Sequence, residues 1–188
     1  MSAPKPLRAD AQRNRDRLVE AAVRAFTASA DVTLESIAKD AGVGIGTLYR
    51  HFPTREALIE AAYRNELTKL CDAAPELLRV KPADEALRSW LSAFVDYMAT
   101  KHGMGDALKA VIASGGNPFE HSRARLSQAM STLLEAAVAQ GTVRGDVPAW
   151  DVVVSASGVS LTSASGDPAQ AGRLLDLLMD GLRFRAGR

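Results

Sequence analysis

TLESIAKDAGVGIGTLYRHF, residues 33–52, decides the fold of this 188-residue chain. Counted from Leu34, small Ala38 stands fifth and Gly42 ninth, with apolar Ile37, Val43, Ile45 and Leu48 at four, ten, twelve and fifteen. Two short helices crossing steeply need a small side chain at the crossing, which Ala38 supplies. The chain must reverse within three or four residues, and Gly42 accepts a positive φ without steric cost. Ile37, Val43, Ile45 and Leu48 are then expected to form a small apolar core that fixes the angle of the second helix. The outward face of that helix would carry Thr47, Tyr49, Arg50 and His51, side chains able to meet a nucleic-acid backbone and base edges.

The flanking sequence supports that reading. Residues 1–17 hold Lys5, Arg8, Arg13, Arg15 and Arg17 against Asp10 and Asp16. A first helix is expected from about Asp10, with Leu18, Ala22 and Phe26 at four-residue spacing, after a disordered Ser-Ala-Pro-Lys-Pro segment. A basic arm of this kind lies along phosphates or enters a minor groove. For the corner alone, the alternative is a helical protein-interaction adaptor that never touches DNA; the polar outer face and the basic arm count against it.

The stretch from Phe26 to Arg64 resembles the DNA-binding domain of TetR-type (tetracycline-repressor-like) bacterial transcriptional regulators. The marks are Phe26 closing the first helix, Thr33 opening the second, Ile37-Ala38, Gly42-Val43, the run Thr47 to Phe52, the Arg55-Glu56 pair and Leu58. The resemblance covers about residues 12–64. It implies that Thr33 caps the second helix and touches phosphate. Gly46, Thr47 and Arg50 would face the major groove, Tyr49 and His51 would bind phosphates beside it, and Arg55 would hold another. Independently of the resemblance, Thr33 and Thr54 are good N-cap residues. Gly46 has no side chain with which to read a base, so Thr47, Arg50 and the arm (Arg8, Arg13, Arg15) would carry more of the specificity.

Composition sets outer bounds. The net charge is +1, yet residues 1–55 carry nine Lys/Arg and six Asp/Glu, so the basic excess lies on the DNA side of the chain. With a single cysteine, Cys71, no intrachain disulfide forms and a reducing cytoplasm fits. No apolar run approaches the ~20 residues that span a bilayer, so no membrane association is expected. Enzyme signatures fail on context. The glycines at 42, 44 and 46 have no preceding strand and no following Lys-Ser/Thr, and the serines at 155 and 157 lack a nucleophile-elbow frame. His51, His102 and His121 stand apart without metal-ligand spacing. Neither a catalytic set, a metal site nor a cofactor is expected.

The expected fold is all-α, with helices near 10–29, 34–41, 45–51, 54–72, 83–101, 103–114, 119–140, 148–163 and 168–184, separated by proline and glycine. A helix-turn-helix domain would occupy residues 1–53 and a helical ligand-binding and dimerisation domain residues 54–188, with helix 54–72 joining them. Candidates for lining a small-molecule pocket are Phe94, Tyr97, Met98, His102, Met104, Phe119 and Met130. The last two helices carry apolar stripes, Trp150, Val153, Val154, Ser157 and Leu161 on one and Leu174, Leu175, Leu178 and Leu182 on the other. Two such hairpins across a two-fold axis would form a four-helix homodimer interface. The function expected is a ligand-responsive, cytoplasmic transcription regulator, a repressor on a pseudo-palindromic operator. The rival readings are the adaptor and an enzyme built on the C-terminal pocket.

Overall fold

The computed structural model describes residues 5–162 and 169–184, with side chains from residue 9 onward. Among these the chain forms nine helices and no strand: α1 (Lys5–Ala28), α2 (Leu34–Asp40), α3 (Ile45–His51), α4 (Arg55–Val80), α5 (Ala83–Gly103), α6 (Gly105–Ala113), α7 (Ser122–Ala139), α8 (Ala149–Thr162) and α9 (Gln170–Arg183). Packing divides the chain differently from the linear split at residue 53. One unit holds the residues up to Asn65 together with Thr100–Pro118, and the other holds Glu66–Ala99 and the residues from Phe119 on. Helix α4 runs unbroken through both.

Two helix ends differ from the sequence expectation. α1 begins at Lys5, so Lys5 and Pro6 are helical where disorder was expected. Pro6 sits in the first turn, where a missing N–H removes no intrahelical bond. α4 passes through Pro75 to Val80 instead of ending near Asp72. Proline denies the Cys71 carbonyl its usual donor four residues on and crowds the preceding turn. One carbonyl earlier, Leu70 accepts a 2.8 Å bond from the buried Trp90 indole Nε1. The α5 side chain thus braces the turn that the proline weakens, and Leu67, Leu70 and Ala74 remain buried on either side.

In the first unit, Leu18, Ala22 and Phe26 of α1 are fully buried, as are Ile37, Leu48, Phe52, Leu58, Ile59 and Tyr63. Within this core α1 packs against both α2 and α3, which also pack against each other. Gly103, at the end of α5, abuts α1: a Cβ there would lie 2.7 Å from Thr27 Cγ2 and 3.0 Å from the Thr27 carbonyl. Only glycine permits that approach, and α6 then buries Ala107, Leu108 and Val111 in the same unit. In the second unit, Trp90, Leu91, Phe94, Met130, Leu133, Val152, Val153, Ala156, Leu175, Met179 and Leu182 make the core.

Candidate nucleic-acid interface

The corner between α2 and α3 is built by local hydrogen bonds. Thr33 is extended (φ −83°, ψ 151°), and its Oγ1 accepts from the Ser36 amide at 3.2 Å. Ser36 Oγ returns a 2.8 Å bond to the Thr33 carbonyl. At the other end of α2, the Gly42 amide donates to Lys39 O and the Val43 amide to Ala38 O, at 3.1 and 2.9 Å. This is the Schellman closure, and it needs the left-handed φ of +63° that Gly42 adopts. The chain leaves that turn through Gly44 and enters α3 directly.

Around α3, Leu48 alone is fully buried, and Phe52 caps the helix with its amide on the Leu48 carbonyl at 2.8 Å. One buried residue in seven leaves most of the helix surface outward. Gly46, Tyr49 and Arg50 are exposed, while Thr47 and His51 are half-buried at its margins. A Cβ on Gly46 would meet nothing within 4 Å, so the glycine answers no packing demand within the chain. The core expected from Ile37, Val43, Ile45 and Leu48 is only partly realised. Ile37 and Leu48 are buried, Val43 is half-buried, and Ile45 is 37% exposed on the outer surface. Ile45 stands one turn before Leu48 at the open N-terminal end of α3, where its side chain stays at the surface.

The basic residues take different places. Arg15 reaches from α1 to α3, its guanidinium carbon 5.4 Å from the Phe52 ring centroid. Arg13 is exposed and pairs with Asp10. The Arg8 side chain lies outside the described residues. Arg55, expected on a phosphate, is instead turned into the protein: its two terminal nitrogens donate to the Ala30 and Val32 carbonyls, and the guanidinium covers the Phe26 ring at 4.8 Å. These carbonyls belong to the α1–α2 connection that delivers Thr33. Arg55 is therefore a strut that fixes where α2 begins. Thr54 behaves as expected of an N-cap, accepting from the Ala57 amide at 3.1 Å.

The pocket candidates fall into a buried and a more exposed set. Phe94, Met104 and Met130 are fully buried. Phe94 stacks on Trp90 with centroids 5.7 Å apart and tilts against the buried Tyr97 at 6.1 Å, so these rings are core packing. Met98 is half-buried, and His102 and Phe119 are exposed. Two cavities in the second unit draw on other residues. One of about 300 Å³ lies beside Pro75 and is lined by Cys71, Asp72, Arg125, Gln128 and Thr132 among others. The other, of about 390 Å³, opens between α7 and the loop before α8, at Leu134, Val138, Arg144 and Val147. Burial raises the Cys71 thiol above its ordinary pKa, and the nearby Arg125 offsets this only in part.

The two C-terminal stripes separate into an inner and an outer set. Val153, Leu175 and Leu182, expected at a subunit interface, are buried in the chain's own core. Val154 and Leu161 stand 51% and 65% exposed, and Trp150, Ser157, Leu174 and Leu178 are half-buried. Leu177, which periodicity did not single out, is 69% exposed on the same flank of α9 as Leu174 and Gly181. The opposite flank is charged, with Asp176 bonded to Arg88 and Arg183 to Asp84, each at 2.7 Å.

Comparison with known proteins accords with this geometry. Residues 18–62 match the model for bacterial regulatory proteins of the tetR family, and residues 82–184 match the C-terminal domain of SbtR-like transcriptional regulators. A TetR transcriptional regulator from Streptomyces coelicolor is 54% identical over 90% of this chain and 98% of its own, with a TM-score of 0.85. A TetR regulatory protein from Mycobacterium vanbaalenii is 34% identical over 95% and 99%, with a TM-score of 0.79. An HTH-type transcriptional regulator from Staphylococcus aureus is 36% identical over 63 residues, which span about a third (34%) of that relative. The helix-turn-helix corner, the outward α3 and the matches along both units place the chain in the TetR family of DNA-binding transcriptional regulators.

Proposed function

We propose that the protein is a dimeric repressor that binds a pseudo-palindromic operator and leaves it when a small molecule occupies the second unit. The observation that carries the DNA reading is α3: one buried leucine anchors a short helix that leaves Gly46, Tyr49 and Arg50 exposed. In this reading Gly46, Thr47 and Arg50 face the major groove. Thr33, Tyr49 and His51 meet phosphates on either side, with Arg8, Arg13 and Arg15 along the backbone of the duplex. Arg55 contributes by holding the α1–α2 connection. The protein works in the cytoplasm, where the DNA is. Among the described residues no helix is long and apolar enough to cross a membrane. The family likeness favours a regulator over an enzyme or an adaptor.

Dimerisation is assigned to the outer stripes of α8 and α9, through Trp150, Val154, Ser157, Leu161, Leu174, Leu177 and Leu178. The effector is assigned to the second unit, beside the proline-weakened turn of α4. α4 is one helix from Arg55 to Val80, so a ligand that favours a different set of the turn at Cys71–Pro75 biases the helix that also carries Arg55. It shifts the equilibrium only by its affinity difference between the two states, typically ~1–3 kcal/mol.

The test of DNA binding is a titration of the full chain against duplexes recovered by selection from a random pool. Tyr49→Ala is expected to weaken binding by about tenfold per half-site, nearly equally for all sequences, through loss of a phosphate hydrogen bond. Thr47→Ala and Arg50→Ala should change which bases are preferred. Arg15→Ala should reduce the salt slope by about one per half-site. If Tyr49→Ala leaves affinity unchanged for every duplex, the α3 assignment is wrong.

A further inference from the structure

Ile45 is the residue that the DNA-binding reading leaves without a role. It packs too little to count as core, at 37% exposure, although Leu48 on the same helix is fully buried. Its neighbours on both sides are glycines, and a Cβ added to Gly44 or Gly46 would meet nothing within 4 Å. Over residues 44–46 the only side chain is therefore that of Ile45, more than a third of it open to solvent. Four residues on, one turn along the same flank, Tyr49 is 46% exposed. The outer surface of α3 thus has an apolar flank, Ile45 with the Tyr49 ring, beside the groove-facing line of Gly46 and Arg50.

An isoleucine can neither donate nor accept a hydrogen bond. In the major groove every base edge is a pattern of donors and acceptors, except for one apolar feature, the C5 methyl of thymine. Set against guanine or unmethylated cytosine, Ile45 would strip water from polar atoms and return nothing. Set against thymine, it buries a methyl group against its own. The glycine at 46 removes the side chain that would otherwise hold α3 away from the base edges.

We infer that Ile45 is a specificity-determining residue that selects thymine in each half-site by contact with the C5 methyl group. The inference rests on the reading of α3 as the DNA-contacting helix and adds to it the chemistry of one base position. Affinity at that position follows the methyl group and not the hydrogen-bonding pattern, so deoxyuridine is read as a mismatch and 5-methylcytosine as a partial substitute.

The experiment uses the full chain and its selected duplex in fluorescence-anisotropy titrations, with each thymine replaced in turn by deoxyuridine. One position per half-site is expected to lose about fourfold in affinity, the effect of one methyl group. Ile45→Ala should bind the thymine duplex as weakly as the native chain binds the deoxyuridine duplex, and should be indifferent to the replacement. With cytosine at that position, methylation of its C5 should raise the affinity of the native chain and leave Ile45→Ala unmoved. A cooperative melt within a few degrees of the native chain's shows that Ile45→Ala keeps its fold. Were no thymine sensitive to loss of its methyl, or were Ile45→Ala as sensitive as the native chain, the assignment would be overturned while DNA binding stood. Failure of selection to recover any duplex would overturn both readings together.

Discussion

Leu177→Asp is expected to turn the dimer into a monomer at micromolar concentration while leaving the folded subunit intact. Leu177 is 69% exposed within the chain, so an aspartate there costs the subunit little. In the proposed dimer the two-fold axis presents the substitution twice, against Val154 and Leu161 of the same apolar surface. A carboxylate buried there without a partner costs about 3–5 kcal/mol, which raises the dissociation constant by at least a hundredfold. Operator affinity should fall with it, since a monomer holds one half-site. The contrast with Leu175 makes the result diagnostic. Leu175 is 2% exposed, so Leu175→Asp should unfold the subunit before it affects assembly. Sedimentation and thermal melting separate the two outcomes. A Leu177→Asp protein that remains dimeric would move the interface away from this flank.

The second large effect is expected at Arg55. Arg55→Ala removes two charge-assisted hydrogen bonds to the Ala30 and Val32 carbonyls and uncovers the Phe26 ring. The loss should be about 2–3 kcal/mol, a fall in melting temperature of roughly 5–10 °C for a chain of this size. Arg55→Lys should recover little, because one ammonium cannot reach two carbonyls and lie flat on a ring at once. DNA affinity should drop because Thr33 and α2 lose their fixed position, yet the slope of log affinity against log salt should stay the same. A variant with native melting temperature and a slope reduced by about one per half-site would return Arg55 to the phosphate backbone.

The sequence was most informative where one residue type answers one local demand. Gly42 is legible because the turn after α2 needs a positive φ, and Thr33 because the start of α2 needs an acceptor three residues before Ser36. Leu18, Ala22 and Phe26 are legible because a four-residue spacing can bury only one face of a helix. Where the partner comes from elsewhere in the chain, the signal fades. Nothing near Arg55 announces that carbonyls 23 and 25 residues upstream will claim it. Pro75 reads as a helix stop until Trp90 is seen to brace the preceding turn. Ile45 was misplaced and Leu177 passed over for a related reason. An apolar residue one step off the buried arc looks the same in sequence as one inside it, and only the neighbouring element decides. The pocket candidates met the reverse difficulty, since an aromatic run at helical spacing is first used to fill a core.

The two tryptophans of the chain occupy unlike surroundings. Trp90 is sealed in the second unit with its indole hydrogen-bonded to a helix carbonyl, whereas Trp150 is half-buried beneath the Arg123 guanidinium, 4.7 Å from its ring, on the flank assigned to the partner subunit. Indole emission moves to shorter wavelength as water is withdrawn, and it is quenched by solutes that can reach the ring. Trp90 therefore reports loss of the native fold, and Trp150 reports covering or uncovering of the α8 stripe. Assembly and unfolding would leave separate optical signatures in the unlabelled protein, readable at concentrations where scattering is too weak to use.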